Sequence, residues 1–211
     1  MDRSIQIDTF CKFIQVSRET ITSLKKYEDL LIKANKSLNL VGNSTINQIW
    51  SRHFLDSAQV IDFVDKNDKC LVDLGSGAGF PGLVLAIACK DRKIPLKIKL
   101  IEKSSKKVKF LKDVIEELDL KVEVFNQNIL EEEIKFVEDV FIARAFKPLK
   151  KILQLMHNNA ENYKKIFIFL GKTGKNELLQ ASKSWNIEYK QRVSVTSSDS
   201  MVIEINRLKK K

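Results

Sequence analysis

The chain has 211 residues, of which 44% are hydrophobic and 30% are charged, and its formal net charge is +10. This length is enough for one domain with a sizeable core. The sequence predicts no membrane span, because no apolar run approaches the roughly 20 residues that a transmembrane helix needs. A strongly basic protein usually binds a polyanion, although a lysine-rich solubilising surface gives the same net charge.

The cysteines and histidines do not form the pattern of a metal site. Cys11, Cys70 and Cys89 are widely spaced, and His53 and His157 lie far apart in the sequence. Structural zinc needs four clustered ligands, so no metal is expected. Free thiols in a reducing cytosol, and a cytoplasmic protein without a signal peptide, are the simplest interpretation.

The first part of the chain, residues 1–65, is predicted to be helical. Two sets of apolar residues recur at helical spacing: Leu24, Tyr27, Leu31 and Ala34, and then Trp50, Phe54, Ala58 and Ile61. The second set predicts one helix over these positions.

From residue 70 onward, short apolar strands alternate with helices. Strands are predicted at Cys70–Leu74, Lys97–Glu102, Val122–Phe125, Val140–Ala143 and Ile166–Leu170. Helices are predicted between them at Pro81–Cys89, Ser105–Leu118, 148–160 and 175–184. Two further strands, Ile187–Val195 and Met201–Leu208, flank a polar turn at 196–200. This order predicts an α/β fold with a mostly parallel seven-stranded sheet, covered on both faces, and a C-terminal antiparallel hairpin. We expect residues 66–211 to form a Rossmann-like core and residues 1–65 its helical N-terminal extension, together one domain over 1–211.

A glycine-rich loop, Gly75-Ser76-Gly77-Ala78-Gly79-Phe80-Pro81-Gly82, follows the first strand. Such a loop lets the backbone approach a ligand at the carboxyl end of a sheet. Part of it satisfies GxGxxG, and Glu102 lies at a suitable distance for a ribose contact, so a dinucleotide remains an alternative. Asp73 favours S-adenosylmethionine instead, because a carboxylate repels a pyrophosphate and attracts an ammonium and a sulfonium. A third alternative is a turn that binds no ligand.

Several motifs, taken in order, resemble one known family. They are Asn35-Lys36-Ser37-Leu38-Asn39-Leu40, Arg52-His53-Phe54-Leu55-Asp56-Ser57, the glycine-rich loop, Glu102 with Lys106-Lys107, and Ala143-Arg144-Ala145-Phe146. Their order and spacing over about residues 24 to 185 resemble the bacterial ribosomal RNA small-subunit methyltransferase G family, also called glucose-inhibited division protein B.

The resemblance implies a class I methyltransferase that uses S-adenosyl-L-methionine to methylate N7 of a guanine, guanine 527, in 16S ribosomal RNA. The expected partner is 16S ribosomal RNA or the small ribosomal subunit, bound by a monomeric protein. The alternatives are an RNA-binding ribosome-assembly factor without turnover and an NAD-dependent oxidoreductase.

The resemblance also implies which residues contact the cofactor: Gly75, Phe80, Ile129, Leu130 and Arg144. Two positions depart from the family pattern. Leu130 stands where an acidic residue is common, so its contact with the adenine must be apolar or through the backbone. Leu170-Gly171-Lys172 stands where the family has Leu-Lys-Gly, so the lysine is displaced by one position.

Physical arguments add roles for three of the polar residues. Glu102 ends the second strand and is predicted to accept hydrogen bonds from the ribose hydroxyls, unless it pairs with Lys103 or Lys106. Arg144 offers a planar fork of donors, unless it pairs with Asp139 or Glu138. Arg144 and Lys172 are the predicted catalytic residues, as groups that orient the base rather than as acid or base.

Two more groups of charged residues are predicted to belong to the site. Arg52 and Asp56 are four residues apart on a predicted helix, where a surface ion pair is the alternative to a function. Lysines after the fourth and fifth strands would make an RNA-facing rim positive, although a solvated face is an equal alternative: Lys147, Lys150, Lys151, Lys172 and Lys175.

Overall fold

The computed structural model describes residues 2–132 and 134–211, and a seven-stranded sheet forms its centre. The strands are β1 Cys70–Leu74, β2 Lys97–Glu102, β3 Val122–Asn126, β4 Val140–Arg144, β5 Lys165–Leu170, β6 Trp185–Ser194 and β7 Ser197–Lys210. Their order in the sheet is β3-β2-β1-β4-β5-β7-β6, and only the pairings of β7 are antiparallel. The predicted mostly parallel sheet with a C-terminal antiparallel hairpin is therefore confirmed.

Helices cover both faces of this sheet. They are α1 Arg3–Phe13, α2 Arg18–Leu38, α3 Asp56–Ala58, α4 Gly82–Arg92, α5 Ser105–Glu117, α6 Leu149–Asn159 and α7 Gly174–Ser182. One apolar cluster joins α2, α4 and α5 to one face, and a second joins α6 and α7 to the other. Burial on both faces explains why the central strands are continuous apolar runs rather than alternating ones.

The N-terminal segment packs against α4 and α5 through α2. Leu24, Tyr27 and Leu31 lie one helical turn apart and are buried, as their spacing predicts. The Ser17 side chain caps the start of α2 by accepting a hydrogen bond from the Thr20 amide. The Tyr27 hydroxyl donates to the Ala78 carbonyl, so α2 holds the glycine-rich loop directly.

The prediction of one helix over residues 50 to 61 is wrong in form. The segment is a π-helical turn, Trp50–Leu55, followed by α3 and by the 3-10 turn Ile61–Phe63. The four apolar residues that predicted the helix are all buried. The Arg52 carbonyl in this turn accepts a hydrogen bond from Arg144, 92 positions away, and π-helical turns often occur where the backbone serves a tertiary partner.

The predicted polar turn at 196–200 is also too long. Ser194 pairs with Ser197, so only two residues connect β6 to β7. The Ser194 hydroxyl accepts a hydrogen bond from the Thr196 amide at 3.2 Å and closes the turn. Residues 197–200 therefore begin β7, and the antiparallel direction of β7 places them beside the carboxyl end of β5.

Within the described part of the chain, no helix is long and apolar enough to cross a membrane. The same residues contain no group of three or more His, Cys, Asp or Glu side chains arranged to hold a metal ion.

Candidate functional site

A cavity of about 420 Å³ opens at the carboxyl ends of β1, β2 and β4. Small-molecule pockets usually measure roughly 300–1,000 Å³ and lie where the strand order of an open sheet reverses. The order here reverses between β1 and β4. All the residues predicted to bind the cofactor line this cavity: Gly75, Phe80, Glu102, Ile129, Leu130 and Arg144.

Gly75 begins the glycine-rich loop in a conformation that favours glycine. Its φ is +72°, and a Cβ at this position would lie 2.1 Å from Cδ2 of Phe146. The Phe146 ring occupies the space that a side chain at this position would take. Gly75 therefore lets an aromatic ring from the segment after β4 approach the loop.

Asp73 lies beneath the loop and does not line the cavity. Its Oδ2 accepts a hydrogen bond from the Gly82 amide at 2.9 Å, while its Oδ1 has no partner among the described residues. Burial raises the pKa of Asp73 to about 7, and the Gly82 hydrogen bond opposes that rise. The loop therefore separates Asp73 from any cationic ligand in the cavity, the attraction for which the sequence predicted it. The carboxylate mainly fixes the start of α4.

Glu102 is buried at the end of β2 and faces the loop. Its Oε2 accepts a hydrogen bond from the Gly77 amide at 2.9 Å, and its Oε1 accepts one from the Ser104 amide at 2.8 Å. The described structure shows no ion pair between Glu102 and Lys103 or Lys106, the alternative that the sequence left open. A carboxylate has about four acceptor positions, so Glu102 can shape the loop and still accept from a ligand.

The far end of the cavity is formed by the residues after β3. Ile129 is buried and Leu130 is 42% exposed. The Asn128 amide donates to Glu132 Oε1 at 2.8 Å, so an acidic side chain does act in this turn, but on the backbone. Gln127 also lines the cavity, and sequence reasoning missed it because no pattern distinguishes it from an ordinary loop glutamine.

Arg144 is held by three groups of the π-helical turn and α3. Its Nε donates to Asp56 Oδ2 at 2.7 Å, its Nη2 donates to the Arg52 carbonyl at 2.7 Å, and its Nη1 lies 3.5 Å from His53 Nδ1. The ion pair that the sequence suggested for Asp56 is therefore made with Arg144, and Arg52 contributes its backbone. Asp139 and Glu138 instead pair with Lys164 and Lys99.

His53 is a neutral side chain in this arrangement. Its ring stacks on Phe80 with centroids 5.0 Å apart, and its Nε2 lies 2.9 Å from the Thr45 hydroxyl. Burial, followed by the nearby Arg144 charge, lowers the pKa of His53 to about 3. Because Nδ1 faces a guanidinium, we assign the proton to Nε2, which then donates to Thr45. Phe80 thus lines the cavity, where the resemblance implies a cofactor contact, and also packs against the N-terminal segment.

The lysines of the predicted rim divide into two groups. Lys147 lines the cavity, as do Lys103 and Lys107 from the segment after β2. The other rim lysines are exposed and do not line the cavity: Lys150, Lys151, Lys172 and Lys175. Lys172 lines neither this cavity nor a second one, of about 310 Å³, at the carboxyl ends of β4 and β5, so the structure does not bring it to Arg144.

Comparison with known proteins gives a consistent result. Residues 20–205 match the family described as rRNA small subunit methyltransferase G. The chain is 38% identical over 198 residues to the ribosomal RNA small subunit methyltransferase G of Pelagibacter ubique, covering 93% of this chain and 92% of the relative. It is 34% identical to the protein of the same name from Rickettsia akari, covering 93% of this chain and 99% of the relative. A solved SAM dependent methyltransferase from Aquifex aeolicus shares the fold, with a TM-score of 0.57 at 14% identity, covering 82% of this chain and 96% of that chain.

Proposed function

Because this chain belongs to the ribosomal RNA small subunit methyltransferase G family, we propose that it transfers the methyl group of S-adenosylmethionine to a guanine N7 in 16S ribosomal RNA. Guanine 527 is the position typical of the family. The observation that carries the proposal is the cavity itself, which has a buried carboxylate, Glu102, on one side and the tethered guanidinium of Arg144 on the other.

The residues of the cavity fit S-adenosylmethionine better than a dinucleotide. Glu102 already occupies the Gly77 amide, one of the loop donors that a pyrophosphate would use. Its remaining acceptor positions suit the two ribose hydroxyls. Apolar contacts from Ile129 and Leu130 suit the adenine, and Gly75 and Phe80 also line the cavity.

The reaction needs no general base from the protein. Held by Glu102 and the glycine-rich loop, S-adenosylmethionine would supply a methyl group activated by its sulfonium, which the N7 lone pair of guanine would accept as the C–S electron pair passed to sulfur. No proton leaves the base, and the neutral His53 is engaged with Thr45 and Phe80. The chain contributes alignment and exclusion of water. Arg144 can donate to guanine O6, because the Asp56 and Arg52 contacts use only part of its five N–H groups.

The RNA backbone would meet the lysines around the cavities. Lys103, Lys107 and Lys147 line the first cavity, and Lys172 and Lys175 follow β5. We assign Lys172 to a phosphate rather than to the base, because it lines neither cavity. Residues 1–65 and 66–211 act in this proposal as one domain, since the N-terminal segment supplies the groups that hold Arg144.

The test is transfer of labelled methyl from S-adenosylmethionine to 16S ribosomal RNA, supplied both as naked RNA and within the small subunit. We expect one labelled guanine, located by strand cleavage at N7-methylguanine. RNA binding without transfer to either substrate would instead indicate an assembly factor. Calorimetric binding of NAD in preference to S-adenosylmethionine would indicate an oxidoreductase.

A further inference from the structure

A second cavity, of about 310 Å³, lies beside the first at the carboxyl ends of β4 and β5. The two cavities share His53, Arg144 and Ala145 as lining residues. Arg144 pairs with Phe169 in the β4–β5 register, and Leu170 pairs with Met201 across β5 and β7. The second cavity is therefore separated from the cofactor cavity only by the end of β4 and the π-helical turn.

Hydroxyl groups from the β6–β7 hairpin form one wall of this second cavity. Ser194 and Thr196 each bond to Asp56 Oδ1 at 3.0 Å, so their positions are fixed. Ser197 and Ser200 also line the cavity, and among residues 2–132 and 134–211 their hydroxyls have no hydrogen-bond partner. Two partly buried hydroxyls that can each donate and accept are thus available to a ligand.

The same cavity is also lined by an aromatic residue and an arginine. Phe169 is partly buried at the end of β5 and lines the cavity. Arg52 also lines it, and its side chain makes no ion pair within the described chain. A flat aromatic surface, a set of hydroxyls and an unpaired arginine suit a nucleotide whose base has left its stack.

The charge distribution of this cavity also suits the product of the reaction. Methylation at N7 leaves a positive charge on the purine. Asp56 lines the cavity and its side chain is 14% exposed, so its carboxylate lies close to where that charge would form. Arg144 would otherwise repel the product, and its ion pair with Asp56 offsets this repulsion.

We propose that the second cavity is the acceptor subsite, which holds the methyl-accepting guanine, with Ser197 and Ser200 hydrogen-bonding to its edge. The inference rests on the proposed function, because it places the substrate of that reaction. Guanine fits these walls because its O6 can accept a hydrogen bond and its N2 amino group can donate one, which leaves the N7 lone pair free to react with the methyl group.

The test compares Ser200→Val and Ser200→Phe with the same substitutions at Ser198. Ser198 is exposed on the same strand and does not line the cavity, so it is a matched control. Valine suits a β-strand, which limits any effect on folding. With saturating cofactor, we expect kcat/KM for RNA to fall about tenfold for Ser200→Val and about a hundredfold for Ser200→Phe. Calorimetric affinity for S-adenosylmethionine should change less than about twofold.

Two results would overturn this assignment while leaving the proposed function intact. One is methylation by Ser200→Phe at the wild-type rate. The other is an equal loss of cofactor affinity and activity in both Ser200 variants, which would make this cavity part of the cofactor site. A wild-type protein that methylates neither RNA substrate would instead refute the proposed function, so the two failures are distinguishable.

Discussion

At the scale of single residues, Arg144 connects the two cavities to the N-terminal segment. Its side chain is 17% exposed, and that of its partner Asp56 is 14% exposed. Removing one member of a largely buried pair leaves the other charge uncompensated, which costs more than the pair itself contributes. The guanidinium also bonds to a carbonyl at the same time, which a single ammonium cannot do in the same geometry.

We therefore predict that Arg144→Lys and Arg144→Ala each reduce single-turnover methylation at least about tenfold, or 1.4 kcal/mol. Arg92→Lys is the matched control, because Arg92 pairs with Asp62 and lines neither cavity. Normal turnover by Arg144→Lys would show that only the charge at this position matters.

Glu102 gives a second prediction at this scale. Glu102→Gln keeps the shape but places an amide nitrogen toward the Gly77 or Ser104 amide, and it weakens acceptance from a ribose. We expect S-adenosylmethionine to bind about 1–3 kcal/mol more weakly by calorimetry. Glu123→Gln, an exposed position on β3, should bind the cofactor normally. RNA affinity without cofactor should not change, and an equal loss there would indicate misfolding instead.

His53 gives a prediction about pH. Its folded pKa of about 3 lies below the ordinary value of 6.5. The unfolded chain therefore binds a proton that the folded protein does not, and stability falls as pH decreases below about 6.5. Between pH 7 and pH 5, the wild type should lose roughly 1–2 kcal/mol more unfolding free energy than His53→Gln.

Urea denaturation of both proteins at the two pH values measures this difference. Asp73 has a raised pKa, so its contribution has the opposite sign, but it is common to both proteins and cancels in the comparison. Equal losses in the wild type and His53→Gln would show that His53 is protonated in the folded protein.

At the scale of elements, the glycine-rich loop and the segment after β4 are fitted to each other. Gly75 adopts a positive φ, and the Phe146 ring lies where its Cβ would be. We predict that Gly75→Ala lowers the unfolding free energy through about 1–2 kcal/mol of backbone strain together with the displacement of Phe146. In a Phe146→Ala background, Gly75→Ala should lower the unfolding free energy only by the backbone strain.

A double-mutant cycle of urea denaturation separates these two contributions. We expect the double variant to lose less unfolding free energy than the sum of the losses in the two single variants. If the cost of Gly75→Ala is the same in both backgrounds, the Phe146 ring does not set the requirement for glycine.

At the scale of the whole molecule, the net charge is +10, and lysines lie near both edges of the sheet. Lys175 lies just after the carboxyl end of β5, whereas Lys69 precedes β1 at the amino edge. If RNA covers the carboxyl edge, Lys175→Ala should reduce the slope of log affinity against log salt by about 0.7–0.9. Lys69→Ala is the control and should leave the slope unchanged. If the two variants have equal slopes, the RNA does not bind at the carboxyl edge of the sheet.

The sequence by itself determined the sheet and the edge of it at which the proposed cofactor cavity lies. β1 and β2 have the predicted bounds, because apolar runs between turn residues leave few alternatives for a buried strand. The residues that the family resemblance implies for the cofactor line one cavity, because the carboxyl ends of parallel strands meet at one edge of the sheet. These results follow from local patterns and from a fixed topology.

Only the tertiary structure decided which side chains pair across the site. Asp56 and Arg144 are 88 positions apart in the sequence, and Asp56 and Ser194, which also form a hydrogen bond, are 138 positions apart. No periodicity encodes such contacts, since they depend on how the N-terminal segment packs over the sheet edge. The π-helical turn and the two-residue hairpin were missed for the same reason. Distant residues hold both of them, since Arg144 bonds to the π-helical turn and Asp56 to the hydroxyls of the hairpin, and both contribute to the lining of the second cavity.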